Sequence, residues 1–214
     1  MESKTHTSSG LGPIDDFCGG YPRGGVCIAR GLDREPDALQ DFYVTQVKQH
    51  ALDLGRTILV ASLGMSSREL VHCIAYGESR NRLQKLEKAS IYISDKERSM
   101  SLDKFLEVFS RTVKKINPDI AFIEGFDKII PNGRLLQASS QLIDTAQDLD
   151  CPTVVIDFDY KIQSPYPRRG DTMELELKTT LEGIVEANIY EGPRQTTTAD
   201  LYGRWRLFEN ILKK

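Results

Sequence analysis

Four places in the chain carry side chains that could do chemistry. Glu124 closes the apolar run Asp119-Ile-Ala-Phe-Ile-Glu124. Asp157 closes Pro152-Thr-Val-Val-Ile-Asp157, with Asp159 two residues on. Carboxylates gathered at the ends of neighbouring strands are what a metal-dependent hydrolase uses to hold a divalent cation. No His or Lys stands at a diagnostic spacing to them, so solvated strand ends are the competing expectation, with Lys128 the expected ion-pair partner of Glu124. Glu124 is the one cation candidate and no metal is assigned. The second place is Arg30-Gly31-Leu-Asp-Arg34-Glu35-Pro36, where two guanidiniums lie between a strand and a helix, the usual position for an anion. Asp33 and Glu35 stand beside them as ion-pair partners, and Pro36 has no N–H to donate. The third is Tyr160-Lys-Ile-Gln-Ser-Pro-Tyr-Pro-Arg-Arg-Gly170, in which Tyr160 and Tyr166 interleave with Lys161, Arg168 and Arg169. These residue types stack bases and neutralise phosphates, although a solvated Pro/Arg loop has the same composition. The fourth, Arg204-Trp-Arg206, is expected to dock the last element onto the core through its Trp.

The elements that must position these groups alternate between strand and helix. Gly25 to Arg30 reads as a short buried strand. Pro36 suits a first helical position, and Leu39, Phe42, Tyr43, Val47, Ala51 and Leu54 recur at helical spacing until Gly55. Thr57 to Leu63 is a nearly continuous apolar run, as a parallel strand covered on both faces requires. Ser66 with Glu69 forms a capping box that opens the next helix. Ser90 to Ser94 is a strand, and Leu102, Phe105, Leu106, Phe109, Val113 and Ile116 form the stripe of a helix ending at Asn117-Pro118. Strands at 119–124 and 152–157 flank a helix over 135–149. Met173 to Leu177 and Ile184 to Tyr190 then read as an antiparallel hairpin, while Leu201 to Phe208 fits strand and helix equally poorly. Alternation of this kind with right-handed crossovers predicts a mostly parallel sheet between helices, with its ligand site at the carboxyl ends of the strands.

Composition bounds the rest. The chain has 214 residues, 40% hydrophobic and 28% charged, with a formal net charge of −3, which fits one globular α/β domain over 9–214 preceded by a disordered tail over 1–8. No apolar run approaches the roughly 20 residues that cross a bilayer, and the polar start lacks a secretory pattern, so no membrane contact and a cytoplasmic location are expected. Cys18, Cys27, Cys73 and Cys151 form no CxxC pair and do not interleave with His6, His50 or His72, so they read as ordinary residues.

Taken together, the strand-end segments resemble the RecA-like ATPase core of DnaB-type replicative helicases and, more distantly, of KaiC and RadA. Ser9-Gly-Leu-Gly-Pro-Ile-Asp-Asp-Phe-Cys-Gly-Gly-Tyr-Pro-Arg-Gly-Gly25 is similar to the family's "TG…LD…GG" lead-in, expected beside the nucleotide. Ser62-Leu-Gly-Met-Ser66 resembles "SLEMS", Pro118 to Glu124 resembles the strand bearing the magnesium-associated carboxylate, and Leu149 to Val155 resembles the junction before the sensor position. The resemblance implies a P-loop NTPase fold over about residues 9–192, ATP with magnesium, and single-stranded DNA on the loop at 160–170.

The residues depart from that pattern where it does its chemistry. Arg34, Glu35 and Pro36 stand at the Gly-Lys-Ser/Thr positions of G-x-x-x-x-G-K-[ST], so the loop has no phosphate lysine and no hydroxyl for magnesium. Gly64 stands where the family's water-activating Glu belongs, and glycine is no general base. Glu124 replaces an Asp, moving the carboxylate by about an ångström. The expectation is therefore a RecA-fold protein without ATP hydrolysis. It would need no cofactor and would act as a binding or scaffold module on single-stranded DNA in replication, recombination or a mobile element, as a homo-oligomer or beside a related RecA-fold ATPase. A divergent ATP-dependent helicase using Arg34 for the lysine and a structural self-assembly protein are the alternatives.

Overall fold

Apolar strands buried on both faces form the centre of the molecule: every residue of β4 (Ile58–Ser62), β6 (Ile120–Glu124) and β7 (Thr153–Asp157) is buried. The computed structural model describes residues 6–31, 36–95, 99–130, 135–157, 172–180, 184–191 and 194–203. The remaining strands of the main sheet are β3 (Val26–Gly31), β5 (Ile91–Ser94), β8 (Thr172–Thr179), β9 (Ile184–Glu191) and β10 (Arg194–Gly203). Their order is β10-β9-β8-β3-β7-β6-β4-β5. All pairings from β8 to β5 are parallel, and β8–β9 and β9–β10 are antiparallel. The expected α/β fold, with a mostly parallel sheet and an antiparallel end, is present. The end is more integral than expected, because β8 pairs directly with β3 and so extends the central sheet.

Helices cover both faces. On one side Leu39, Phe42 and Val47 of α2 (Pro36–Lys48) and Leu70 and Ile74 of α3 (Ser67–Ala75) pack on Val60, Phe122 and Ile156. On the other, Phe105, Phe109 and Val113 of α5 (Leu102–Ile116) and Leu142 and Ile143 of α6 (Leu135–Gln147) pack on Leu59, Ile123 and Val155. Local chemistry sets the helix ends. Ser66 and Glu69 form the reciprocal capping box of α3, Ser101 caps α5, and Asn117 ends α5 in the left-handed region at φ 50° before Pro118. The helix expected to run to Leu54 changes character at Gln49, where a π-helical turn over Gln49–Asp53 follows α2.

Two helices lack a sequence forecast. The first, α1 (Gly12–Cys18), lies within the lead-in. The second, α4 (Arg80–Leu86), buries no residue and is tied down by charge: Arg82 reaches Glu78 at 2.6 Å and Asp53 at 3.0 Å, and Lys48 reaches Glu78 at 3.0 Å. At the N-terminus, β1 (His6–Thr7) pairs with β2 (Tyr21–Pro22), so residues 6 and 7, assigned from sequence to a tail, join a two-stranded sheet. Among the described residues no helix is long and apolar enough to cross a membrane. Arg34, Glu35, Asp159, the loop Tyr160–Gly170 and Arg204–Phe208 lie outside the described residues, whereas Leu201–Gly203 belong to β10.

Candidate functional site

In a parallel sheet the groups able to meet a ligand sit at the carboxyl ends of the strands, and register decides which of them share a face. Arg30 pairs with Asp157 across β3 and β7, whereas Glu124 pairs with Ile156 across β6 and β7. Directly paired residues project to the same side, and successive residues to opposite sides. Ile156 and Phe122 belong to the core layer under α2 and α3, and Val155 and Ile28 to the layer under α5 and α6. Glu124 therefore faces α2 and α3, and Asp157 and Arg30 face the other way. The acidic cluster expected of Glu124 with Asp157 does not form, because the one-residue offset in register sends the two carboxylates to opposite faces. Among the described residues no group of three or more His, Cys, Asp or Glu side chains could hold a metal.

On the α5/α6 side, Arg30 lies 3.6 Å from Asp157 and 3.7 Å from Glu174 of β8. Both carboxylates are buried, and the guanidinium is nearly so. The local acids Asp33 and Glu35 were the partners expected for Arg30. The acids found beside it come instead from two neighbouring strands, since a side chain at a strand end meets its cross-strand neighbours before its chain neighbours. Glu174 was missed because Met173 to Leu177 alternates like a half-exposed strand. The signal lay in the parallel pairing with β3, which covers its polar face.

On the α2/α3 side, Glu124 is nearly buried, and its Oε2 receives the N–H groups of Gly64 and Met65, each at 3.0 Å. The Ser62 hydroxyl stands 2.9 Å from the same oxygen and 2.7 Å from the Met65 carbonyl, with one proton to give. Lys128, the partner expected for Glu124, lies beside Asp127 at 3.5 Å. Tyr43 of α2 is fully buried nearby, and its hydroxyl has no hydrogen-bond partner among the described residues. Burial first, then the Glu124 carboxylate, raise the Tyr43 pKa well above that of a free phenol and keep it neutral.

The lead-in, expected beside the nucleotide, packs at the opposite end of the sheet. Asp15 accepts from the Ser9 N–H at 2.6 Å, the Ser9 hydroxyl at 2.7 Å and the Gly10 N–H at 3.3 Å. Gln49 donates to the Gly10 carbonyl, and Arg56, two residues ahead of β4, donates to the Ser8 carbonyl. The Arg56 guanidinium also lies 3.0 Å from His50 Nδ1. A guanidinium only donates, so Nδ1 accepts, and the Nε2–H of His50 donates to the Ser9 carbonyl at 3.1 Å. Burial and the Arg56 charge lower the His50 pKa to about 3. Cys27 and Cys151 are buried, and burial raises both thiols, Cys151 to about 12, which leaves them unreactive.

No family model and no curated protein matches the sequence. Solved structures do. An ATPase domain of a DnaB-type helicase superposes with a TM-score of 0.68 at 16% identity, covering 92% of this chain and 87% of that one. A KaiC-like protein of the hyperthermophilic archaeon Pyrococcus horikoshii superposes with a TM-score of 0.64 at 19% identity, covering 92% and 93%. The fold is RecA-like. In RecA-like terms, Arg30 and Gly31 end the strand that feeds the phosphate loop, Gly64 follows the second core strand, and Glu124 stands at the strand end of the magnesium-associated carboxylate.

Proposed function

We propose that this RecA-like chain is catalytically inactive and serves as a DNA-associated binding or scaffold module in replication, recombination or a mobile element. It would work in the cytoplasm without a nucleotide, as a homo-oligomer or beside a related RecA-fold ATPase. The observation that carries this reading is electrostatic. Arg30 closes the strand that would feed the phosphate loop, and its guanidinium stands between two buried carboxylates on the face away from α2. A triphosphate carries several negative charges and needs a positive surplus where it sits.

The residues present do not fit a magnesium nucleotide. Pro36 has neither the hydroxyl that would ligate magnesium nor an N–H for phosphate, Gly64 has no side chain to orient water, and Glu124 directs Oε2 at backbone amides. Support for DNA contact is the residue content of Tyr160, Lys161, Tyr166, Arg168 and Arg169, types suited to stacking and phosphate neutralisation.

Calorimetry of the full chain with millimolar ATP and magnesium tests the first half of the proposal, and no binding heat is the expected result. Saturable heat with phosphate release would replace it with the divergent ATPase. Fluorescence anisotropy of a labelled oligothymidylate tests the second half: salt-sensitive binding that the Arg168→Ala/Arg169→Ala variant weakens is expected. Wild-type protein that leaves the oligonucleotide free, yet elutes as a defined oligomer, would favour the self-assembly role.

A further inference from the structure

Gly64 has no backbone reason to be glycine, since it lies outside the left-handed region that its neighbour in space, Gly125, occupies at φ 74°. Its surroundings are not crowded either, because the residue is exposed to solvent. What forbids a side chain there is one group. A Cβ built on Gly64 would fall 2.1 Å from Glu124 Oε1 and 3.1 Å from the carboxyl carbon. The same carboxylate takes two consecutive amide N–H groups at the mouth of the turn that leads to the α3 cap. A Cβ on Gly125 would fall 2.6 Å from the Gly64 nitrogen, which is backbone and cannot move aside. The ends of β4 and β6 therefore meet along a seam with room for a single side chain, and Glu124 fills it.

We infer that Glu124 is the clamp of the β4–α3 turn and that positions 64 and 124 exclude one another: the carboxylate occupies the space in which a residue-64 side chain would begin. Reinstating a glutamate at position 64 cannot by itself rebuild a water-activating site, because the clamp must leave first. Only this hydrolysis consequence rests on the reading of the site as inactive. The exclusion itself is a statement about packing and is tested without nucleotide.

The test compares wild type, Gly64→Ala, Glu124→Ala and the double variant by urea unfolding of the full chain. Each single variant is expected to lower the midpoint, and the double variant to unfold at the midpoint of Glu124→Ala alone, since the added methyl meets nothing once the carboxylate is gone. Equal losses from Gly64→Ala in both backgrounds would overturn the exclusion. Should Glu124→Ala fail to fold, Glu124→Gln replaces it: the amide has the same bulk, so Gly64→Ala must cost as much there as in wild type, and a methyl tolerated in the Glu124→Gln background would overturn the proposal. Hydrogen exchange reads the clamp directly. The Gly64 and Met65 amides should exchange about tenfold or more faster in Glu124→Ala while Val60 and Phe122 stay protected, and unchanged exchange at 64 and 65 would overturn the clamp. Finally, Gly64→Glu with magnesium and ATP should release no more phosphate than wild type. Release by this variant alone would overturn the exclusion. Release by wild type would instead remove the inactive reading, leaving the clamp to the stability cycle.

Discussion

The two ends of the sheet solve the same problem with different chemistry. At the amino ends, polar groups distant in sequence, Ser9, Asp15, His50 and Arg56, meet in one network in which a neutral imidazole hydrogen-bonds on both sides. At the carboxyl ends, charges are met inside the sheet: Arg30 by Asp157 and Glu174, and Glu124 by backbone amides. The first arrangement holds a chain terminus onto the body. The second occupies the place where this fold class presents its ligand groups. A carboxyl end filled by its own partners has little left to offer an anion, whereas the amino end has become the more elaborate polar site without being a ligand site.

The largest expected effect is at the carboxyl end. Arg30→Ala removes a guanidinium from between two buried carboxylates, and breaking such a group should cost about 3–5 kcal/mol, read as a lower urea midpoint. A loss below about 1 kcal/mol would mean that Arg30 does not balance those acids. Next, Asp15→Ala strips one acceptor from several donors at the amino end and should cost about 2–3 kcal/mol, with the β1–β2 pairing exposed to protease first. If Asp15→Ala proved the costlier of the two, the greater dependence would lie at the amino end.

The third prediction concerns pH. His50 is held neutral, with a folded pKa of about 3 against 6.5 for the free side chain. The unfolded chain therefore takes up a proton that the folded chain refuses between those values. The stabilisation is complete above pH 6.5 and is lost as pH falls towards 3, at up to about 1.4 kcal/mol per pH unit. His50→Gln keeps a donor for the Ser9 carbonyl and has no proton to gain, so the difference in stability between the two proteins should narrow on acidification; parallel pH curves would remove His50 from the network. The smallest effect is Ser66→Ala, which removes one half of the α3 capping box beside the Glu124 clamp and should cost about 1 kcal/mol. A cost of several kcal/mol would show that the clamp and the cap act as one unit.

The central strands were legible because burial on both faces leaves an unbroken apolar run, and α5 because Leu102, Phe105, Leu106, Phe109 and Val113 repeat at helical spacing. Helix α4 was not legible: Leu83 and Leu86 are only half-buried, and Arg82, Glu78 and Asp53 hold it through ion pairs that leave no periodic trace. At the site, the missing phosphate lysine and the glycine at position 64 could be seen in the residues. The role of Glu124, the partners of Arg30 and the burial of Glu174 could not.

What the sequence by itself determined is the alternation of elements and the residue types at each strand end, because both are written in local order. What only the tertiary structure decided is which strand ends meet and on which face. A shift of one residue in register turns a side chain to the other side of a sheet, and no local pattern encodes the register of β6 against β7. That register separates Glu124 from Asp157, hands Arg30 to Asp157 and Glu174, and leaves Glu124 to fill the space above Gly64.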